Sequence, residues 1–331
     1  MSSIHSNISI FVPHLGCPNK CSFCNQHHIA GTYEIPTAES VKYAVEIAKR
    51  SKKYNPSETE IAFFGGSFTA IEREYMLSLL KAAKVYVDNG DVSGIRISTR
   101  PDAIDSEILV LLKEYGVTTI ELGAQSMDDR VLMLNERGHT AEDVSLASNL
   151  IKKFDFSLGL QMMTGLYGSD DETDINTAKQ IIDLSPDCVR IYPTITLKNT
   201  KLGELYNNGV YEPPMLEDSV KLCVKINAMF EAAGISVIRL GLHTIDENAY
   251  IAGPWHPAFK ELCDSFVFRE KIGSMLSEKG RYQVFVNPSN ISKAIGQLKQ
   301  NILYFKNIGY DIQVKKDDSL NINECIVKGC E

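Results

Sequence analysis

The sequence predicts an α/β fold: a closed or partly open parallel barrel, followed by a small α+β appendage. Three observations predict it. From about residue 5 to residue 245, short apolar runs alternate with amphipathic stretches of helical period. The strand–helix units number six or seven, which favours curling into a barrel over a flat doubly wound sheet. Around residues 246–260 a Gly/Pro/aromatic stretch breaks the pattern and a different order of elements follows. The expected division is a barrel over 1–245 and an appendage over 246–331.

The expected strands are NISIFV, TEIAFF, GIRIST, VTTIEL, FSLGLQ, DCVRIYP and ISVIRL. Between them, PTAESVKYAVEIAKR has Thr37 placed to cap a helix, and TAEDVSLASNLIKKF carries Thr140 and Asp143 at capping spacing. EREYMLSLLKAAKVYV, DSEILVLLKEYG and DETDINTAKQIIDL have the same amphipathic character. Repeated strand–helix units imply parallel strands with right-handed crossovers. In the appendage the order reads helix (FVFREKIGSMLSEKG), strand (RYQVFVNP), helix (SNISKAIGQLKQNILYFKNIG) and two short strands (YDIQVKK, SLNIN), with no identifiable chemistry.

Composition narrows the class. Hydrophobic residues make up 44% of 331, enough for a large core, and no apolar run approaches the ~18 residues of a membrane span. The start, MSSIHSNISIFVP, has no basic segment followed by an apolar one, so no secretory leader is expected. The eight cysteines are therefore expected in a reducing cytoplasm, where clustered thiols signal metal or catalysis rather than cross-links. Cys188, Cys223 and Cys263 read as isolated buried thiols, and Cys325 and Cys330 as members of a fraying tail. A net charge of −8 disfavours a large non-specific nucleic-acid surface, though not a local basic groove.

In parallel barrels the chemistry gathers at the C-terminal ends of the strands. After the first strand come Cys17, Cys21 and Cys24, in PHLGCPNKCSFCNQ; after the second, Gly65-Gly66-Ser67, whose glycines let backbone approach a ligand. Ser98, Thr99, Arg100 and Asp102 follow the third. The fourth leads into Glu121 and Gln125, with Arg137 close behind in LNERGHT. Gln161 ends the fifth strand, and Arg190, Tyr192 and Pro193 end the sixth. Arg239 and His243 follow the seventh. Each alone reads as a turn, a core amide or an ion pair. Their joint placement around one mouth, beside three thiols, reads as a site.

Three cysteines without an obvious fourth allow two metal readings. A zinc site could add His27 or His28 to the thiols, but zinc spacing does not account for Gly-Gly-Ser or the other strand-end residues. A cuboidal four-iron cluster on three thiolates keeps one iron without a protein ligand. The C-x3-C-x2-C loop with Phe23 before the last cysteine, together with Gly65-Gly66-Ser67, resembles the signature of the radical S-adenosylmethionine (SAM) superfamily. The fold this implies is a partial (β/α)6 TIM-like barrel.

The resemblance implies a [4Fe-4S] cluster on Cys17, Cys21 and Cys24, with SAM chelating the open iron. A low-potential donor such as flavodoxin or ferredoxin would supply an electron, and homolysis would give methionine and a 5′-deoxyadenosyl radical. It further implies that Phe23 lies against the adenine and that Gly65, Gly66 and Ser67 receive the methionine amine. Gln125 matches a ribose contact, Arg137 a carboxylate contact and Gln161 a further polar contact to SAM.

STRPDAI, IELGAQSMDDRVL, NERGHT and VRIYPTITLKNTKLGELYNNGVYEPP resemble the radical SAM domain of the Elongator catalytic subunit, which modifies the wobble uridine of transfer RNA. Three departures stand out. The cysteine loop is short, no acetyltransferase domain is expected in the residues after 250, and no basic N-terminal extension is expected. Ser98 also stands where relatives commonly carry a carboxylate. The implied substrate is RNA, with a small molecule such as a tetrapyrrole as the alternative. A non-catalytic cluster protein for electron transfer or binding is the other class, and no membrane partner is expected. Arg190, Tyr192, His243 and Trp255 are candidates for lining the substrate entrance or for structural roles.

Overall fold

The computed structural model describes residues 6–12, 15, 17, 20–25, 34–242 and 245–330. All seven expected strands form. In chain order they are β1 (Ser6–Val12), β2 (Thr59–Gly65), β3 (Gly94–Thr99), β4 (Val117–Gln125), β5 (Ser157–Thr164), β6 (Cys188–Pro193), then, after the two-residue β7 (Thr196–Leu197), β8 (Ser236–Leu240). They pair in parallel in the order β1-β2-β3-β4-β5-β6-β8 and curl into a half-barrel with β1 and β8 at its edges.

The period of two explains why the sheet curls around polar groups. Ile61, Phe63, Ile95, Ile97, Ile120, Leu122, Leu158 and Leu160 are at most 1% exposed, on the face packed by helices. The alternate positions hold Glu60, Arg96, Ser98, Glu121, Gln161 and Arg190. Register sets Ser98 level with Glu121, and Gln161 level with Arg190. One face builds the core. The other is a polar concave wall.

The outer layer comprises α1 (Ala38–Lys49), α2 (Arg73–Asp88), α3 (Ser106–Glu114), α4 (Asp129–Leu134), α5 (Ala141–Lys153), α6 (Asp171–Asp183), α7 (Lys201–Asn207) and α8 (Leu216–Ala232). Thr37 and Thr140 cap their helices as expected, Thr140 with Asp143, and Ser40 completes a capping box with Thr37. The sequence reading named no helix between β6 and β8. α7 and α8 both lie in that interval, α8 burying Val220, Cys223, Ile226 and Phe230 at helical spacing.

The appendage departs from expectation in four places. A short β9 (Tyr250–Ala252) pairs antiparallel with β7 inside the stretch read as a connection. The next helix, α9 (Phe259–Gly273), starts earlier than the predicted one. Its Phe259, Leu262 and Cys263 join the barrel core, and its Phe268 and Ile272 the appendage core. After β10 (Arg281–Val286), the expected single helix is two, α10 (Ile291–Ile295) and α11 (Gln300–Asn307), broken by left-handed backbone at Leu298 and Lys299. After β11 (Asp311–Lys316), SLNIN forms no strand; the last strand is β12 (Cys325–Gly329). Cys325 is therefore no part of a fraying tail: it is 7% exposed within the core of the sheet β11-β10-β12, whereas Cys330 is exposed. Among the described residues no helix is long and apolar enough to cross a membrane.

Candidate active site

The loop after β1 carries the three thiols, Cys21 buried and Cys17 and Cys24 half-buried. Later segments clamp it. Fully buried Ser22 donates its N–H to the Asn135 carbonyl (3.1 Å) and its hydroxyl to Asn135 Oδ1 (2.8 Å), and its own carbonyl accepts from Leu202 N–H (2.7 Å). Asn135 is itself fixed, its amide donating to the carbonyls of Val131 and Tyr167. The sequence reading missed Ser22 and Asn135, though both lie inside motifs it quoted. His27, His28 and His243 lie outside the described residues.

Arg137 joins the loop to the end of β4. Its Nη1 lies 3.0 Å from Cys21 Sγ and its Nη2 donates to Gly123 O at 2.6 Å. The β4 register shifts between Leu122 and Gln125, and Gln125 sits at φ +66°, a bulge that re-aims the end of the strand. Arg137 Nε, Gln125 Oε1 and Arg100 Nη1 are buried with no hydrogen-bond partner among the described residues. Such groups are costly unless something binds them. The rest of the Arg100 guanidinium forks onto Asp102, with two bonds of 2.8 Å.

Burial pushes the Cys17 and Cys24 thiols up, Cys24 to about 12, and their thiol neighbours add to this, while Arg137 draws both down. A bound metal cation would reverse the balance, because a coordinating thiol is deprotonated outright. Among the described residues no three His, Cys, Asp or Glu side chains converge on one point as ligands of a single metal ion do. Thiolates on three different irons of a cuboidal cluster need no such convergence.

Gly65, at φ +114°, and Gly66 pack against the start of the cysteine loop. A Cβ would fall 2.6 Å from Val12 O at Gly65 and 2.2 Å from Leu15 O at Gly66. The N–H groups of Gly66 and Ser67 donate to those same carbonyls, at 2.7 and 3.1 Å. The glycines thus let two loops touch, beyond the ligand approach read from sequence. Ser67 is 1% exposed; its hydroxyl pairs with Thr99 Oγ1 (2.9 Å) and accepts from Arg100 N–H (3.2 Å). Phe23 is half-buried on the same loop.

Deeper in the concave wall lies a charge network. Arg96 donates to Glu60 (2.8 Å) and Glu121 (2.9 Å), and Arg190 grips Glu121 with two bonds of 2.6 and 2.9 Å. Gln161 donates its amide to Glu121 (2.9 Å) and Ser98 (3.3 Å). Burial alone would raise the Glu121 carboxyl; Arg190 and then Arg96 more than offset this and hold it below the ordinary range. Tyr192 stands beside Arg190, its phenol raised chiefly by burial. Arg239 is half-buried and donates to the carbonyls of Gly241 and Leu242 at 3.0 and 2.8 Å. Arg190 is thus held in this ion-pair network, and Glu121 belongs to the middle of the wall rather than the strand end. Trp255 packs on Tyr250 with ring centroids 5.7 Å apart, beside Ile195 and Leu197. Glu60 and Arg96 went unread, although a charge at an alternate position of an apolar strand is their signal.

The buried imidazole of His139 is pushed down to about 4 by burial, with Arg137 adding to the effect; its Nε2 lies 3.2 Å from Ala124 O. It is a neutral group at neutral pH.

A half-barrel with a clamped three-thiol loop and a Gly-Gly-Ser turn at its mouth defines a class. The profile of the Radical SAM superfamily matches residues 11–181, and that of the Radical_SAM C-terminal domain matches residues 186–267. The chain belongs to the radical SAM superfamily. A tRNA uridine(34) acetyltransferase of Methanocaldococcus jannaschii is 29% identical over 186 residues, 50% of this chain and 34% of that protein. An uncharacterized protein of the same organism is 27% identical over 283 residues, 81% of this chain and 84% of that protein. The solved structure of Methanocaldococcus infernus Elp3 with an N-terminal deletion superposes with a TM-score of 0.65 at 21% identity, covering 82% of this chain and 64% of that one. The chain thus spans about a third of the length of the acetyltransferase it resembles, and the Elongator-like family resemblance and fold stand.

Proposed function

We propose that this chain is a radical SAM enzyme acting on RNA, holding a [4Fe-4S] cluster on Cys17, Cys21 and Cys24 and using SAM as co-substrate. The observation that carries the reading is Arg137, bonded to Cys21 Sγ and Gly123 O while its Nε and the nearby Gln125 Oε1 stay buried without partners. When bound and reduced, the cluster with SAM supplies homolysis of a carbon–sulfur bond, giving methionine and a 5′-deoxyadenosyl radical.

The residues fit that pair of groups. Three thiols leave room for one non-protein ligand. Arg137 and Arg100 are positive charges close enough to the thiols to favour thiolate, and Arg137 is suited to orient a carboxylate. An ammonium needs oxygen acceptors, so the turn at Gly65, Gly66 and Ser67 would serve through oxygens while its N–H groups hold the cysteine loop. Gln125 would meet a ribose hydroxyl. Phe23 would cover the adenine, and Gln161, oriented by Glu121, would line the polar wall beside SAM. A flavodoxin- or ferredoxin-like donor fits the need for a low-potential electron.

RNA as substrate is supported by the relative that acts on tRNA uridine. The test is anaerobic turnover with SAM and reductant in the presence of unmodified transfer RNA or of a tetrapyrrole. Transfer RNA should accelerate SAM cleavage to 5′-deoxyadenosine; acceleration by the tetrapyrrole alone would refute the RNA reading.

A further inference from the structure

The appendage contains an element the catalytic reading does not use. β10, α10, α11 and β11 run strand–helix–helix–strand, and the two strands pair in parallel from Arg281 with Asp311 to Val286 with Lys316. Ala294 of α10 and Phe305 of α11 are buried against Val284, Val286 and Ile312, so both helices lie on the sheet. The helices are joined by Gly296-Gln297-Leu298-Lys299.

That turn is strained. Gly296, Leu298 and Lys299 have φ of +78°, +49° and +63°. Two non-glycine residues in the left-handed region carry backbone strain. The fold returns nothing for Leu298, which is 89% exposed. Beneath it, Asn301 is 2% exposed and its amide donates to the carbonyls of Ser265 (2.8 Å), Lys293 (3.2 Å) and Ala294 (3.2 Å). The turn is therefore held as a preformed projection.

The segment that carries it is rich in lysine within an acidic chain, although Asp317 and Asp318 follow directly. Residues 293–316 contain five lysines and one acid, Asp311, while the whole chain carries −8. Lys293 pairs with Asp264 at 3.1 Å; Lys299, Lys306, Lys315 and Lys316 have no carboxylate partner among the described residues. A Gly-x-x-Gly loop between two helices is how KH modules clamp the backbone of about four nucleotides of single-stranded RNA. Here the last position is Lys299, which is exposed, adopts the left-handed conformation glycine supplies and adds a cation.

We infer that the C-terminal α+β unit binds single-stranded RNA, gripping its phosphodiester backbone at the Gly296–Lys299 turn. The choice of RNA over DNA rests on the function proposed above; the grip itself is independent of SAM chemistry.

The experiment uses the full chain and end-labelled single-stranded RNA and DNA oligomers, read by fluorescence anisotropy at about 50 and about 200 mM salt. The test variant is Gln297→Asp with Leu298→Asp, both at exposed positions, and at Leu298 Asp tolerates the left-handed backbone. The control is Lys42→Glu on α1, with the same change in charge. The expected result is RNA binding that weakens with salt, falls at least ~10-fold in the double variant and changes less than ~2-fold in the control. Circular dichroism and RNA-independent SAM cleavage should be unaltered. Undiminished RNA binding by a folded double variant would overturn the inference, as would no binding by the wild type or tighter binding of DNA. RNA binding without SAM cleavage would instead sink the catalytic reading and leave this one standing.

Discussion

Arg137 and Cys21, on segments separated by three strands of the barrel, meet at 3.0 Å between Nη1 and Sγ. This contact ties the end of β4 to the thiol loop. A charged hydrogen bond of this kind contributes about 1.5–3 kcal/mol. Arg137→Leu should retain iron on reconstitution but lower the rate of SAM cleavage about 10- to 100-fold, the equivalent of that energy. Iron content together with 5′-deoxyadenosine formation checks it; an unchanged rate would remove Arg137 from the site.

Gly66→Ala tests the contact between the two loops. Its Cβ would sit 2.2 Å from Leu15 O, so the cysteine loop must move. Iron incorporation should fall well below wild type while circular dichroism is retained. Full incorporation would show that the loop accommodates the methyl group.

Glu121 anchors two arginines on the concave wall. Glu121→Ala leaves both cations without it and should destabilise by about 3–5 kcal/mol in urea unfolding. The carboxyl is held below its ordinary range, so its contribution is present above the unfolded value of about 4.3. It is lost as pH falls through the lower folded value. The wild type should therefore lose its advantage over Glu121→Gln only below about pH 4. An advantage already gone at neutral pH would contradict the assigned charge state.

Asp174 gives the opposite slope. It is 2% exposed and burial lifts it to about 7, while Gly165 N–H donates to it at 2.8 Å. The folded protein binds this proton more tightly than the unfolded chain. Its stabilising effect is complete below the unfolded value of about 3.9 and is lost as pH rises through about 7. Asp174→Asn keeps an acceptor without the charge. It should raise the urea midpoint at about pH 8, with the gain shrinking toward about pH 4; a gain independent of pH would show that Asp174 is not titrating.

Much of this was legible because β-strand period and strand-end chemistry are local signals. The seven apolar runs, the capping Thr37 and Thr140, and the cysteine loop all followed from adjacent residues. What escaped depended on partners distant in sequence. Glu60 and Arg96 sit inside apolar runs, and only the register shows that they face one polar wall. Ser22 lies between two cysteines, and only the fold brings Asn135, the cap at the end of α4, against it. In the appendage, Leu298 and Lys299 are good helix formers, so the pattern ran on through a turn that tertiary packing at Asn301 enforces. Cys325 was misread for the same reason: its burial is set by β10, not by its neighbours in sequence.

The central claim is that the three thiols exist to leave one ligand position for SAM. The direct measurement is anaerobic reconstitution with iron and sulfide, reduction in the presence of SAM, and assay for 5′-deoxyadenosine in wild type and Cys21→Ala. The account predicts product from the wild type and none from the variant. Stoichiometric zinc with no cluster, or a cluster that never cleaves SAM, would contradict it.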